Sequence, residues 1–151
     1  MGTNRKEIIS KLKDFFIKSA SEYCIDMAFL YGSRASGQPH NDSDIDLAIL
    51  FADETGNCEK IFSLLTEITY KLTKELNKEV NIISIDRNFP HPMLYYNAIV
   101  LGIPVFTKDN DKYLYLKLEA IYQMEDFQIY GIRWQKEITA KLMEEITNAR
   151  V

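Results

Sequence analysis

The feature that most constrains the fold of this chain lies between residues 31 and 50. It opens with the pair Gly32-Ser33, continues through ten residues, and reaches two acids separated by a single residue, Asp44 and Asp46. Glycine at the end of an apolar run allows a tight turn and a close approach of backbone to a ligand. A fold that suits this chain must therefore hold a glycine turn near a pair of carboxylates.

Two apolar runs, residues 28–31 and 47–51, enclose this stretch. Their length and composition predict two buried strands, here residues 25–31 and 44–51. Successive residues of a strand point to opposite faces, so Asp44 and Asp46 are expected to project side by side from one face. The alternative is a loop that begins with Gly-Ser beside a strand whose acids are simply solvated. Three apolar residues directly after Asp46 disfavour it.

Two adjacent carboxylates repel each other and raise each other's pKa, and a cation between them relieves the repulsion. The oxygen ligands favour Mg²⁺ or Mn²⁺, whose remaining coordination positions suit water and nucleotide phosphates. Ser33 and the backbone N–H groups after it are suited to hydrogen-bond phosphate oxygens. The pattern predicts a site for a magnesium nucleotide.

The spacing of Gly32-Ser33, ten residues and Asp44-x-Asp46 resembles the GS-x10-DxD signature of the DNA polymerase beta-type nucleotidyltransferase superfamily. The small size of the chain and the segments SRASG and SDIDLAI resemble the minimal nucleotidyltransferase (MNT) family. Many members of that family are the antitoxin half of HEPN/MNT toxin–antitoxin pairs. The resemblance implies an α+β nucleotidyltransferase fold, with a small mixed β-sheet and helices on one side of it.

The resemblance also implies roles for individual residues. Asp44 and Asp46 would be catalytic and hold Mg²⁺ or Mn²⁺, while Gly32, Ser33 and Arg34 would bind the triphosphate of ATP. Arg34 has an equal alternative as a surface salt-bridge residue. The implied reaction moves AMP from ATP to a hydroxyl, expected to be a tyrosine of a cognate HEPN toxin, which the transfer silences.

One position departs from the family pattern. The superfamily has a third carboxylate on the next strand, predicted here at residues 80–85, and the matching residue is Asn81. Asparagine can offer a carbonyl oxygen to a metal, but it is neither charged nor a base. Asp86 lies five residues further on, and strand alternation directs it to the other face.

The remaining periodicity predicts four helices and one more strand. The elements are amphipathic helices over residues 4–20 and 59–77, a short helix over 92–101, a strand over 103–107 and a helix over about 110–148. Residues 38–43 are predicted to form a polar loop that contains His40, expected to be a solvated residue. The strand at 103–107 contains Pro104, which favours a sheet edge. We expect residues 1–151 to form a single domain.

Composition narrows the class of protein. The chain has 151 residues, a net charge of −4 and two cysteines, Cys24 and Cys58, without metal-binding spacing. No apolar run reaches the ~20 residues of a membrane span, and residues 1–14 lack the apolar block of a signal peptide. We therefore expect a cytoplasmic protein with reduced thiols and no membrane partner. The absence of a basic stripe argues against stable nucleic-acid binding, and self-association is left open.

The sequence is also consistent with two other functions. Because of Asn81, the chain could be a catalytically impaired binding module that neutralises its partner by contact through the aromatic C-terminal helix. Transfer to a small-molecule hydroxyl, as in aminoglycoside nucleotidyltransferases, is the third hypothesis. The absence of a second, substrate-binding domain disfavours it.

Overall fold

The structure is a computed structural model that describes residues 5–36, 44–52 and 58–149. The loop predicted over residues 38–43, including His40, lies outside the described residues. The elements in chain order are α1 (Arg5–Tyr23), β1 (Ile25–Tyr31), α2 (Ser33–Ser36), β2 (Ile45–Phe51), α3 (Cys58–Leu76), β3 (Val80–Ser84), α4 (Pro92–Ile99), β4 (Ile103–Thr107) and α5 (Asn110–Ala149).

The four described strands form one mixed sheet in the order β3-β2-β1-β4. β1 pairs with β2 and with β4 in antiparallel fashion, whereas β2 and β3 run parallel. β4 is an edge strand, as Pro104 predicted, because proline cannot donate a ladder hydrogen bond. The mixed α+β class is confirmed.

The expectation of helices on one side of the sheet was wrong, because both faces are covered. One core packs α1 and α3 on the sheet and includes Leu12, Phe16 and Leu72. The second core packs α4 and the beginning of α5 on the other face, around Phe29 and Ile99. The central strands are apolar on both faces, so both faces need cover; α4 and α5 provide it on the second face.

Local backbone geometry explains where two helices end. Cys24 follows α1 with a φ of 55°, and Asn77 follows α3 with a φ of 51°. A left-handed residue directly after the last turn is a common way to end a helix, and asparagine tolerates it better than most residues. α4 ends at Ile99, two residues earlier than predicted.

α5 is unusual in its length and exposure. It contains 40 residues, which corresponds to about 60 Å at ~1.5 Å per residue. Its buried residues are Leu116 and Ala120, both in its first third. The rest of the helix extends from the domain with large apolar side chains exposed, including Tyr130 and Trp134.

Candidate active site

The turn between β1 and α2 is built around Gly32. Its φ of +77° lies in the left-handed region that disfavours residues with a side chain. A Cβ placed on Gly32 would lie 2.6 Å from Oδ2 of Asp46. Both observations require glycine at this position. The second also shows that the turn lies directly against the acidic strand.

The two acids lie together at the beginning of β2. Asp44 directly precedes the strand, which begins one residue later than predicted, at Ile45. Asp46 is the partner of Tyr31 in the antiparallel pairing with β1. It alternates with Ile45 and Leu47, which lie in the core under α1 and α3, so Asp46 faces the α4 side of the sheet.

Asn81 completes a three-residue cluster with these acids. It is the partner of Asp46 in the parallel pairing of β2 and β3. Its Nδ2 donates a hydrogen bond to Oδ2 of Asp44 at 3.3 Å. An amide therefore lies between the carboxylates, at the position where the family pattern places a third acid.

Asp86 does not replace the missing acid. It lies beyond β3, where its backbone N–H donates to the hydroxyl of Tyr95 at 3.0 Å. Its Oδ1 accepts a hydrogen bond from the backbone N–H of Asn88 at 2.9 Å. These contacts hold Asp86 in the turn before α4, because β3 ends at Ser84 and strand alternation does not extend to residue 86.

The electrostatics of the cluster favour a bound cation. Burial is the main cause that raises the pKa of Asp46; the hydrogen bond from Asn81 lowers it, and the charge of Asp44 raises it. Burial, followed by the charge of Asp46, raises the pKa of Tyr31. Burial is the first cause of both shifts and neighbouring negative charge adds to each, so a divalent cation at the cluster would oppose both.

The donor set suits a hard cation with open coordination positions. Two carboxylates and one amide oxygen are ligands of the kind that Mg²⁺ and Mn²⁺ accept, with water or phosphate at the remaining positions. Within residues 5–36, 44–52 and 58–149, no group of three or more His, Cys, Asp or Glu side chains is placed to hold a metal. A metal at Asp44 and Asp46 would therefore need further ligands, from the Asn81 amide oxygen, the nucleotide or solvent.

α2 begins with Ser33 and Arg34, the two residues predicted to bind phosphate together with Gly32. Ser33 is half-buried, whereas Arg34 is only 4% exposed. Arg34 is therefore not a surface residue, which the salt-bridge alternative assumed. Nη2 of Arg5 donates to the carbonyl of Ala35 at 2.7 Å and ties α1 to α2. Arg5 was not predicted to belong to this region, because a contact between residues 30 positions apart leaves no signal in local spacing.

The site is distinct from a cavity of about 780 Å³ near the other end of β3. That cavity is lined by residues of α3, by the connection between β3 and α4, and by α4, including Arg87 and His91. None of the six predicted site residues lines it. The cluster of Asp44, Asp46 and Asn81 lies instead at the beginnings of β2 and β3, beside the Gly32 turn.

The fold and this cluster define the class of the protein as a nucleotidyltransferase. The family model described as "Polymerase beta, Nucleotidyltransferase" matches residues 10–111, and the chain belongs to this family. That range contains the Gly32 turn, both acids and Asn81.

Comparison with individual proteins points to one branch of that class. The chain is 27% identical over 121 residues to the protein adenylyltransferase MntA of Shewanella oneidensis, which covers 80% of this chain and 78% of the relative. A crystal structure described as a toxin–antitoxin with AMP-PNP contains a chain with a similar fold. Its TM-score is 0.64 at 20% identity, covering 84% of this chain and 98% of that one.

A second solved structure contains a tri-AMPylated HEPN toxin of Shewanella oneidensis in complex with an MNT antitoxin. Its matching chain has a TM-score of 0.60 at 18% identity and covers 87% of this chain and 98% of that one. The fold of this chain is thus shared with chains of toxin–antitoxin complexes. Within the described residues, no helix is long and apolar enough to cross a membrane.

Proposed function

We propose that this chain is a protein adenylyltransferase that transfers AMP from magnesium ATP to a tyrosine hydroxyl of a cognate HEPN toxin and thereby acts as its antitoxin. The observation that carries the proposal is the contact between the Gly32 turn and Asp46, which joins a phosphate-binding turn to a carboxylate pair. The 27% identical relative, named a protein adenylyltransferase, supports the same reaction.

In the proposed reaction, the hydroxyl oxygen of the acceptor attacks the α-phosphorus of ATP. The bond between that phosphorus and the bridging oxygen to the β-phosphate breaks, and pyrophosphate leaves. Gly32 and Ser33 bind the triphosphate through the backbone and the serine hydroxyl. Arg34, which follows Ser33 and is only 4% exposed, is the cationic residue of this segment.

Asp44 and Asp46 hold Mg²⁺ or Mn²⁺ together with the nucleotide phosphates, and the amide oxygen of Asn81 is a third protein ligand in the proposed complex. The cation, when bound, would neutralise the charge that develops on the transferring phosphate. The carboxylates themselves orient the α-phosphate toward the acceptor. Strand pairing positions Asp46, and the hydrogen bond from Asn81 positions Asp44, so both carboxylates are oriented by contacts within the protein.

Asn81 makes a tyrosine acceptor more suitable than a serine or threonine. Without a third carboxylate, the site lacks the base that would take the proton of a weakly acidic aliphatic hydroxyl. A phenol has a pKa of about 10 and so gives up its proton to water or phosphate far more readily. The substitution of Asn for Asp therefore narrows the acceptor class rather than abolishing transfer.

The toxin would dock near the aromatic part of α5. Phe127, Tyr130 and Trp134 are 42%, 65% and 63% exposed. By the ~100° that separates successive helical residues, all three fall within about 40° of Leu116, on the side of α5 that faces the domain. Exposed Tyr and Trp side chains are typical of the central residues of protein interfaces.

We place the protein in the cytoplasm, where ATP and Mg²⁺ are available, and treat residues 1–151 as one domain.

The experiment is a transfer assay with magnesium ATP and the product of the neighbouring gene, in which tyrosine-linked AMP is identified by mass spectrometry. Label on a toxin tyrosine that requires Asp44 and Asp46 is the expected result. The second candidate, favoured by Asn81, is neutralisation by contact alone. An Asp44→Asn/Asp46→Asn variant that still neutralises the toxin at equal occupancy would favour that candidate.

A further inference from the structure

The outer face of α5 carries a regular apolar seam that no described residue covers. Starting at Tyr115, positions spaced alternately by three and four residues continue to Ile146, which gives ten positions. Seven are large and apolar and are 50–75% exposed: Tyr115, Leu118, Tyr122, Ile129, Ile132, Met143 and Ile146. This is the heptad pattern of a coiled coil, sustained for more than the ~3–4 heptads that distinguish it from chance.

The seam lies on the opposite side of α5 from the domain. At about 100° per residue, its centre is roughly 160–180° from Leu116 and Ala120, the buried residues of the helix. It is therefore distinct from the aromatic face at Phe127, Tyr130 and Trp134. A second helix can pack along the seam without displacing any contact of the domain core.

The charges in the seam indicate which helix packs on it. Its three positions that are not large and apolar are Glu125, Lys136 and Thr139, so it contains one acid and one base. If a second copy of α5 packs in antiparallel orientation, one register places Glu125 of each chain opposite Lys136 of the other. The same register brings Ile129 opposite Ile132, and it makes each of these pairs twice.

Other arrangements of two copies are disfavoured by the same residues. A parallel pair would place Glu125 against Glu125 and Lys136 against Lys136, which buries like charges. An antiparallel register shifted by one heptad would place Glu125 opposite Ile129 or Met143 and leave the carboxylate unpaired. One orientation and register thus satisfies both charges.

That register also gives the two helices nearly complete overlap. The midpoint between Glu125 and Lys136 lies between residues 130 and 131, and the midpoint of α5 lies between residues 129 and 130. The two helices therefore overlap along almost their whole length. Leu118 meets Met143, and Tyr122 meets the only uncharged polar residue of the seam, Thr139.

Residues beside the seam follow the same symmetry. The flanking pair Asp126 and Arg133 have opposite charges and lie near each other across the axis. On the other flank, Ile121 approaches Leu142, so apolar meets apolar. A seam that binds an unrelated protein does not need to be complementary in charge and shape to a second copy of itself in antiparallel orientation.

We propose that the chain forms a homodimer through an antiparallel coiled coil of α5, with Glu125 and Lys136 paired twice across a two-fold axis. The dimer leaves both clusters of Asp44, Asp46 and Asn81 on the domain side of each helix. The inference does not rest on the proposed enzymatic function, because it uses only the pattern and exposure of α5.

The test measures the mass of the purified chain alone by sedimentation equilibrium over a range of concentrations. The expected mass is twice the 17.6 kDa of one chain. Glu125→Lys and Lys136→Glu, each alone, are expected to raise the dissociation constant of the dimer by more than about tenfold, because each creates two like-charge pairs in the seam. The double variant Glu125→Lys/Lys136→Glu should restore it to within a few-fold of the original value.

Circular dichroism of all three variants controls for folding, since every substitution lies on an exposed face of α5. A monomer at every concentration overturns the proposal. A dimer that neither single variant weakens overturns it as well, because the contact would then lie elsewhere. A dimer weakened by both single variants but not restored by the double variant overturns the antiparallel register.

Discussion

Asp46 and Asn81 are direct partners in the parallel pairing of β2 and β3, and the Asn81 amide donates to Asp44 at 3.3 Å. The ladder thus fixes Asp46 and Asn81, and the hydrogen bond from Asn81 holds Asp44, which directly precedes β2. The amide partly compensates the negative charge and lowers the pKa of Asp46, whereas burial and Asp44 raise it. The site is held together by the strands, although its charges oppose one another.

Replacing Asp46 should stabilise the fold while removing function. Its pKa is raised above 3.8, so the folded protein binds this proton more tightly than the unfolded chain does. The stability contributed by Asp46 is therefore greatest in acid and falls as the pH rises through the raised pKa. Asp46→Asn should melt a few degrees higher than the original protein at neutral pH without metal, and the difference should disappear below pH 3.8.

Thermal melts in a chelator across this pH range measure the effect, with the exposed Glu75→Gln in α3 as the charge-matched control. Added Mg²⁺ should raise the melting temperature of the original protein and leave Asp46→Asn unchanged. Equal melting temperatures of the two proteins at neutral pH would show that the pair is not under electrostatic strain.

Restoring an acid at position 81 should accelerate transfer. Asn81→Asp supplies a third carboxylate next to Asp44 and Asp46, which can hold the cation more tightly and accept the hydroxyl proton. We expect the rate of AMP transfer at saturating Mg²⁺ to rise by at least about tenfold, since a positioned base contributes ~10²–10⁴. Asn81→Ala, which loses the hydrogen bond to Asp44, should give no increase. A rate that falls in both variants would mean that the amide itself is required.

Gly32 and Gly131 offer a matched pair of glycine substitutions. Gly32→Ala places a Cβ 2.6 Å from Asp46 at a φ of +77°, so it should abolish ATP binding through displacement of the turn. Gly131 in α5 has its nearest neighbours in the Phe127 ring, at 3.6 Å or more. Gly131→Ala should therefore raise stability by about 0.5–1 kcal/mol. Isothermal titration with ATP analogue and chemical denaturation measure the two effects; normal nucleotide binding by Gly32→Ala would contradict the proposed cradle.

An ion pair far from the site should contribute mainly to stability. Arg87 lies 3.6 Å from the nearly buried Asp26 and donates to the carbonyl of Phe51 at 3.2 Å. It therefore joins the turn after β3 to β1 and β2. Arg87→Met should lower the free energy of unfolding by about 1–3 kcal/mol, because Asp26 loses its charged partner. Lys18→Met on the exposed face of α1 is the control, and urea denaturation is the measurement. If both variants lose the same free energy of unfolding, the ion pair of Arg87 with Asp26 does not stabilise the fold specifically.

Local patterns in the sequence predicted the parts of the structure that depend on local geometry. Strand alternation was enough to bring Asp44 and Asp46 together, whereas Asp86 is kept away by the end of β3 at Ser84 and by turn contacts, not by alternation. It could not predict that Arg34 is buried or that Arg5 holds Ala35, because those contacts join elements that are distant in the sequence. The second helical layer on the sheet was missed for the same reason, since apolar residues in a central strand do not reveal what covers each face.

The most direct test of the proposed adenylyltransferase activity is transfer of label from ATP carrying a radioactive α-phosphate, with Mg²⁺ and the product of the adjacent gene. Asp44→Asn/Asp46→Asn is run beside the original protein, after circular dichroism has shown equal folding. We predict label on a tyrosine of the partner with the original protein and none with the double variant. An unlabelled partner in a stable complex with the original protein would contradict it and identify the chain as an antitoxin that acts by contact alone.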